Sequence, residues 1–254
     1  KCYNPLMPTI FQVKEFIFPY NGYRFPGQAT DEKILYVTRE HKLFLFFKMF
    51  FVLLIAVAIS LAFYVFSLAF KSIFFNSSVV FLLPLTLIVV SAFSVIGFWW
   101  IYNLWQKSLA ILTNKRLTKI IYTTPFNHYN QSLPLEMIVD TSFHNRGFLS
   151  SYLKLGSITA RSSASSSGVA TDDPARVNKK YFYIENIQYA EDLQQYLNKL
   201  INTLHKEPKE LANFRPFLPN LKGEAREEFL RANYSQYAKK DRKSTRLNSS
   251  HGKL

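Results

Sequence analysis

The sequence predicts a membrane-inserted pair of helices followed by a small β-rich domain that one amphipathic helix closes. Three observations carry that expectation. Between Met49 and Gln106 the one charged residue is Lys71. From Leu109 to Ile187, short apolar runs alternate with turn-forming residues. Leu193, Tyr196, Leu197, Leu200, Ile201 and Leu204 then recur at helical spacing on one face. The apolar residues, 48% of the chain, are therefore concentrated rather than spread. That distribution excludes a wholly soluble protein and a low-complexity disordered chain. Cys2 is the single cysteine, so no internal disulfide, CxxC pair or cysteine-based zinc cage can form.

Residues 1–42 read as a polar lead-in on the cytoplasmic side, and 43–106 as a transmembrane helical hairpin. Its spans are expected at about 49–70 and 79–100. A helix over Met49–Phe70 would be about 33 Å long, against a hydrocarbon core of about 30 Å. Val79–Trp100 has the same length, and Lys71–Ser78 reads as a short polar turn. Inside hydrocarbon each backbone amide needs an internal partner, which makes these runs helical. Lys33, Arg39, Lys42 and Lys48 precede the first span, and Lys107, Lys115, Arg116 and Lys119 follow the second. Basic flanks of this kind place both termini in the cytoplasm. Trp99, Trp100, Tyr102 and Trp105 then fall at the inner interface, where amphipathic rings collect.

Residues 107–205 have the size of one domain. Strands are expected at Leu109–Leu112, Leu117–Tyr122, Met137–Phe143, Leu155–Arg161 and Tyr181–Ile187. Asn114, Asn145–Gly147 and the polar stretch Ser162–Pro174 supply the turns. The closing helix has Glu191 and Asp192 in its first turn and His205 and Lys206 at its end, which suits the helix dipole. Several strands and one helix make an α+β or capped β-barrel domain. Residues 206–240 hold many charges and three prolines without a sustained apolar face, and read as a flexible polar tail with transient helix over Glu224–Ala238. The chain begins at Lys1, which points to a fragment, a processed form or an open translation. Asp241–His251 reads as the translation of a common DNA-sequencing adapter, so 241–254 is set apart as an artefact. That stretch holds a net +3 of the formal +14, and the remainder is still basic.

The order of these parts resembles the bacterial pleckstrin-homology-like membrane proteins. Phe25–His41 looks like their segment before the first span, and Thr113-Asn114-Lys115-Arg116-Leu117 is similar to the hairpin that opens their domain. Pro134–Asp140 and Leu155–Ala160 match two of their strands, with Leu155 where an aromatic is more usual. Tyr183-Ile184-Glu185-Asn186-Ile187 leads into the closing helix as it does in that family. The likeness covers roughly residues 25–205 and departs from the family in the longer, serine-rich Ser162–Asn178. It implies a pleckstrin-homology-like barrel or sandwich of two packed sheets with a C-terminal capping helix. It also implies a multi-pass protein of the bacterial inner membrane.

Catalytic patterns do not emerge from the sequence. His41, His128, His144 and His205 form neither HExxH nor an i, i+4 pair, and no GxSxG or P-loop motif occurs. Asp140 and His144 read as a turn residue and a surface histidine, and the five serines of Ser162–Ser167 as a loop. The expectation is a protein without cofactor, metal or enzymatic activity. What remains is a basic domain beside a bilayer, with eleven basic against seven acidic residues over 107–205. Lys115, Arg116 and Lys119, which follow the second span soon after Lys107, are the candidate membrane or lipid contacts, the alternative being that they set topology alone. The predicted function is a membrane-anchored, non-catalytic binding or assembly module that self-associates or docks a protein or lipid partner. The alternative is a subunit of an oligomeric channel or transporter. Nucleic acid is not expected as a partner, because the aromatics concentrate in the apolar segment rather than in a basic patch.

Overall fold

A computed structural model describes residues 10–12, 15–74, 82–145, 147–163, 181–221 and 223–237. The uncharged runs are helical, as expected. Helix α1 spans Lys42–Phe74 and α2 spans Leu82–Lys107. They pack as an antiparallel pair. Gly97, late in α2, approaches Val52, early in α1, so closely that an added Cβ would lie 3.3 Å from the Val52 Cγ1. Both helices are long and apolar enough to cross a membrane, and their most apolar windows are not buried within the protein. Helix α1 runs past Lys71 to Phe74, so the expected turn begins later than the charge pattern indicated. Residues 75–81 lie outside the described residues, as do 164–180 and the adapter-like 241–254.

Two antiparallel sheets follow from the turn chemistry. One has the order β1 (Ile34–Thr38), β2 (Leu109–Thr113), β3 (Arg116–Tyr122), β4 (His128–Pro134). The other is β5 (Ile138–His144), β6 (Leu155–Ser162), β7 (Tyr181–Gln188). A short helix α3, Phe148–Tyr152, joins β5 to β6. Helix α4, Ala190–Lys206, buries Leu193, Tyr196, Leu197 and Leu200. Leu117, Ile120, Ile158, Phe182 and Ile184 belong to one apolar core with that helix face. The sheets remain separate: β4 passes to β5 through the 3-10 turn Leu135–Met137, and no ladder of hydrogen bonds joins their outer strands among the described residues. The result is an open two-sheet arrangement with a helix, not a closed barrel.

The boundaries of this domain differ from those expected at 107 and 205. Ile34–Thr38, expected in a lead-in, is a fully buried strand, with Ile34 opposite Thr113 and Thr38 opposite Ala110. Buried on both faces, it shows no apolar–polar alternation to announce it. The segment after α4, expected to be a flexible tail, carries a 3-10 helix (Pro208–Asn213) and helix α5 (Gly223–Asn233). Leu211, Phe217, Leu218 and Leu230 are buried. The Phe217 amide donates to the Leu35 carbonyl at 3.0 Å and so partly covers the free edge of β1. Its ring meets Tyr36 edge-on at 4.9 Å, and Tyr234 meets Phe18 at 4.8 Å. Scattered aromatic anchors, rather than a periodic face, fix this segment.

Candidate functional site at the base of the helices

Strand direction divides the domain into two ends. Helix α2 ends at Lys107 and β2 starts at Leu109, running away from the helices; β3 returns, so Tyr122 comes back beside Ser108. The β2–β3 turn is therefore the far end, separated from α2 by five strand residues, roughly 17 Å.

The far end is an ion-pair clamp. Thr113, Asn114, Lys115 and Arg116 hold the Asp31–Lys33 segment that enters β1. The Glu32 carboxylate is buried. Its Oε1 accepts from Thr113 Oγ1 at 2.8 Å and Arg116 Nε at 2.9 Å, and its Oε2 accepts from Arg116 Nη2 and the Ala29 amide, both at 3.0 Å. Burial pushes this carboxyl up, but the guanidinium, the amide and the hydroxyl outweigh it and hold it below its usual value. Asn114 completes the clamp by accepting the Lys33 amide at 2.8 Å. Lys115 pairs with Asp31 at 2.5 Å, both exposed. Two of the three residues expected to touch lipid, Lys115 and Arg116, are thus spent on carboxylates at the end away from α2. A hairpin carries its turn away from the strand's origin, so closeness to the second span in sequence does not set these two residues beside it.

Lys119 is different. It stands opposite Ala110, next to the root of α2. It lines a cavity of about 410 Å³ where the helices meet the four-stranded sheet. Ile101, Leu104 and Trp105 of α2 form one apolar wall, with Ile120 and Ile184 on the sheets. Burial lowers the Lys119 pKa, and the carboxylates of Glu185 and Glu40, which line the same cavity, oppose the shift. No Lys119 ion pair or side-chain hydrogen bond occurs among the described residues.

The cavity's rim is a rigid joint. Glu40 pairs with Lys48 at 2.5 Å, and its carbonyl accepts the Trp105 indole N–H at 2.7 Å. The Arg39 guanidinium stacks over Phe16 at 4.6 Å and Trp105 at 5.1 Å. Opposite Ser157, β7 carries an extra residue in its ladder with β6, and Asn186 there takes a left-handed φ of 55°. Asn tolerates that conformation better than most residues. The bulge aims both of its polar groups at the start of α1: its carbonyl accepts the His41 amide at 2.9 Å and its side-chain amide donates to Glu40 at 3.1 Å. His41 in turn caps α1, its Nδ1 accepting the Leu43 amide at 3.2 Å. Burial lowers the His41 pKa, aided by Lys42. Arg39, Glu40, Trp105 and Asn186 escaped sequence reasoning, and the Glu-Asn pair inside an otherwise apolar strand was the available signal.

The other polar candidates do not converge. Asp140 and His144 are both exposed on β5, and His128 stacks on Tyr122 at 5.0 Å. Among the described residues no group of three or more His, Cys, Asp or Glu side chains is placed to hold a metal ion. No family model, no curated protein and no solved structure matches this chain.

Proposed function

We propose that this protein is a membrane-anchored, non-catalytic binding module. In this reading α1 and α2 cross the inner membrane of a bacterium with both termini in the cytoplasm, and the cavity at their base takes the anionic headgroup of a lipid. The observation that carries the reading is Lys119, a desolvated cation without an ion pair among the described residues, in a cavity where the helices leave the domain that Arg39 and Lys48 line together with Glu40 and Glu185. A desolvated ammonium gains most from an anion brought to it in the same low-dielectric setting. Four plus three antiparallel strands followed by a helix also support the resemblance to pleckstrin-homology-like domains. Of the three basic candidates, Lys119 alone keeps the role of lipid contact. The alternative of a channel or transporter subunit draws on the exposed faces of α1 and α2, which fit lipid as well as neighbouring copies. Apart from Lys71, no charged residue between Met49 and Gln106 offers an ion a pathway.

The test is native mass spectrometry of the full chain extracted from vesicles of mixed zwitterionic and anionic lipid. Retained anionic lipid that Lys119→Gln abolishes and Lys119→Arg preserves would support the reading. Equal retention by all three proteins would overturn it.

A further inference from the structure

The most exposed apolar side chains outside α1 and α2 gather at one end of the domain. Phe126 is 86% exposed, Phe148 83%, Tyr152 77% and Ile17 70%. These four come from separate parts of the chain, and the topology brings each to the end where the helices emerge. Phe126 lies in the β3–β4 turn, which Lys107, the last residue of α2, touches by donating to the Pro125 carbonyl at 3.2 Å. Phe148 and Tyr152 lie on α3, between the end of β5 and the start of β6. That edge is tied to α1 by register: His144 pairs with Ser157, whose hydroxyl accepts the Asn186 amide, and the Asn186 carbonyl accepts the His41 amide. Ile17 follows Glu15, which pairs with Lys42 in the first turn of α1 at 2.5 Å. The opposite end carries the clamp of ion pairs instead.

We propose that these side chains form an apolar rim that inserts into the headgroup layer and seats the domain directly on the bilayer. The occupant is fixed by position: if α1 and α2 cross a bilayer, the surface around their emergence faces that bilayer and no other partner reaches it first. Protruding Phe and Tyr rings at the level of the headgroups are what an interfacial contact uses. Rings rather than charge make this contact: beside the start of α1, Lys42 is paired with Glu15 and Lys48 with Glu40. The contact therefore tolerates zwitterionic lipid, unlike the headgroup site at Lys119. Seated in this way, the domain opens its cavity into the headgroup layer. The inference rests on the reading of α1 and α2 as spans.

The experiment uses the full chain with Cys2→Ser and one fluorescent reporter on a cysteine at Phe126, Phe148, Tyr152, Glu136 or Ile55. Nanodiscs of zwitterionic lipid contain lipids brominated high on the acyl chain, and for Ile55 at mid-chain. Each rim reporter replaces one ring and leaves the other two in place. The expected result is quenching several-fold stronger at the three rim positions than at Glu136, which lies at the far end. Adding Phe148→Ser and Tyr152→Ser should bring the Phe126 reporter down to the Glu136 level. Unquenched rim reporters with a quenched Ile55 reporter would overturn the rim and leave the spans standing. Rim quenching that survives the two serine substitutions would overturn the role given to the rings. An unquenched Ile55 reporter would overturn the spans, and the rim with them.

Discussion

The two ends of the domain use the same residue types to opposite effect. At the far end Arg116 meets a buried carboxylate in fork geometry, and five hydrogen bonds from within the protein satisfy the Glu32 carboxylate and the Gly27 carbonyl. At the helix end Lys119 is desolvated as well but has no ion pair among the described residues, and the most exposed apolar side chains of the domain lie at that end. The first arrangement is closed: its charges are consumed in holding the 27–33 segment against the β2–β3 turn. The second is open, with charge and apolar surface left for something outside the chain. A basic residue beside a span is therefore not by itself a lipid contact. What decides is whether the topology delivers a carboxylate to it.

The largest effect is expected at the far end. Arg116→Ala leaves the Glu32 carboxylate buried without its guanidinium and should lower stability by about 2–3 kcal/mol, read from denaturant unfolding in micelles. Arg116→Lys should recover only part of this, since an ammonium cannot make the two-pronged contact. Unchanged stability together with loss of bound lipid would make the far end a binding site and dissolve the contrast. A smaller effect belongs to the joint. Burial depresses the His41 pKa in the folded state, so the cap is whole above the unfolded value of 6.5 and is lost as pH falls below it through the folded value. The cost should stay below about 1 kcal/mol, the size of a helix cap. The protection factor of the Leu43 amide, its exchange relative to an unstructured peptide at the same pH, should fall as pH drops from neutral to below 6.5, and His41→Asn should flatten the dependence. The smallest effect is Lys115→Gln. Its pair with Asp31 is exposed on both sides, so neither unfolding midpoint nor lipid retention should move. A loss of lipid retention there would return Lys115 to the binding surface and sharpen the search for a second site.

Where each element's own residues carried a period or a turn signal, the sequence was legible. Leu155–Ser162 and Tyr181–Gln188 alternate, and α4 shows its stripe, because one face of each is wet and the other dry. His128–Pro134 was missed since its residues are mostly polar and exposed, and only its pairing with β3 makes it a strand. Phe217 and Leu218 were missed because they act as isolated anchors on an edge that the sequence does not display. Of the candidate site, Lys119 was legible as a basic residue near a span, but nothing local distinguished it from Lys115 and Arg116.

By itself the sequence determined two helices long and apolar enough to cross a membrane, five of the seven strands and the closing helix. Those properties follow from hydropathy and spacing along a single segment. The tertiary structure alone decided that Ile34–Thr38 and residues 208–237 belong to the domain, that the sheets stay open, and that Lys119 faces a cavity while Arg116 faces Glu32. Each of these depends on which distant segment arrives opposite a residue, and the free energy of burying a charge or an edge is set by that partner rather than by the residue's neighbours in the chain.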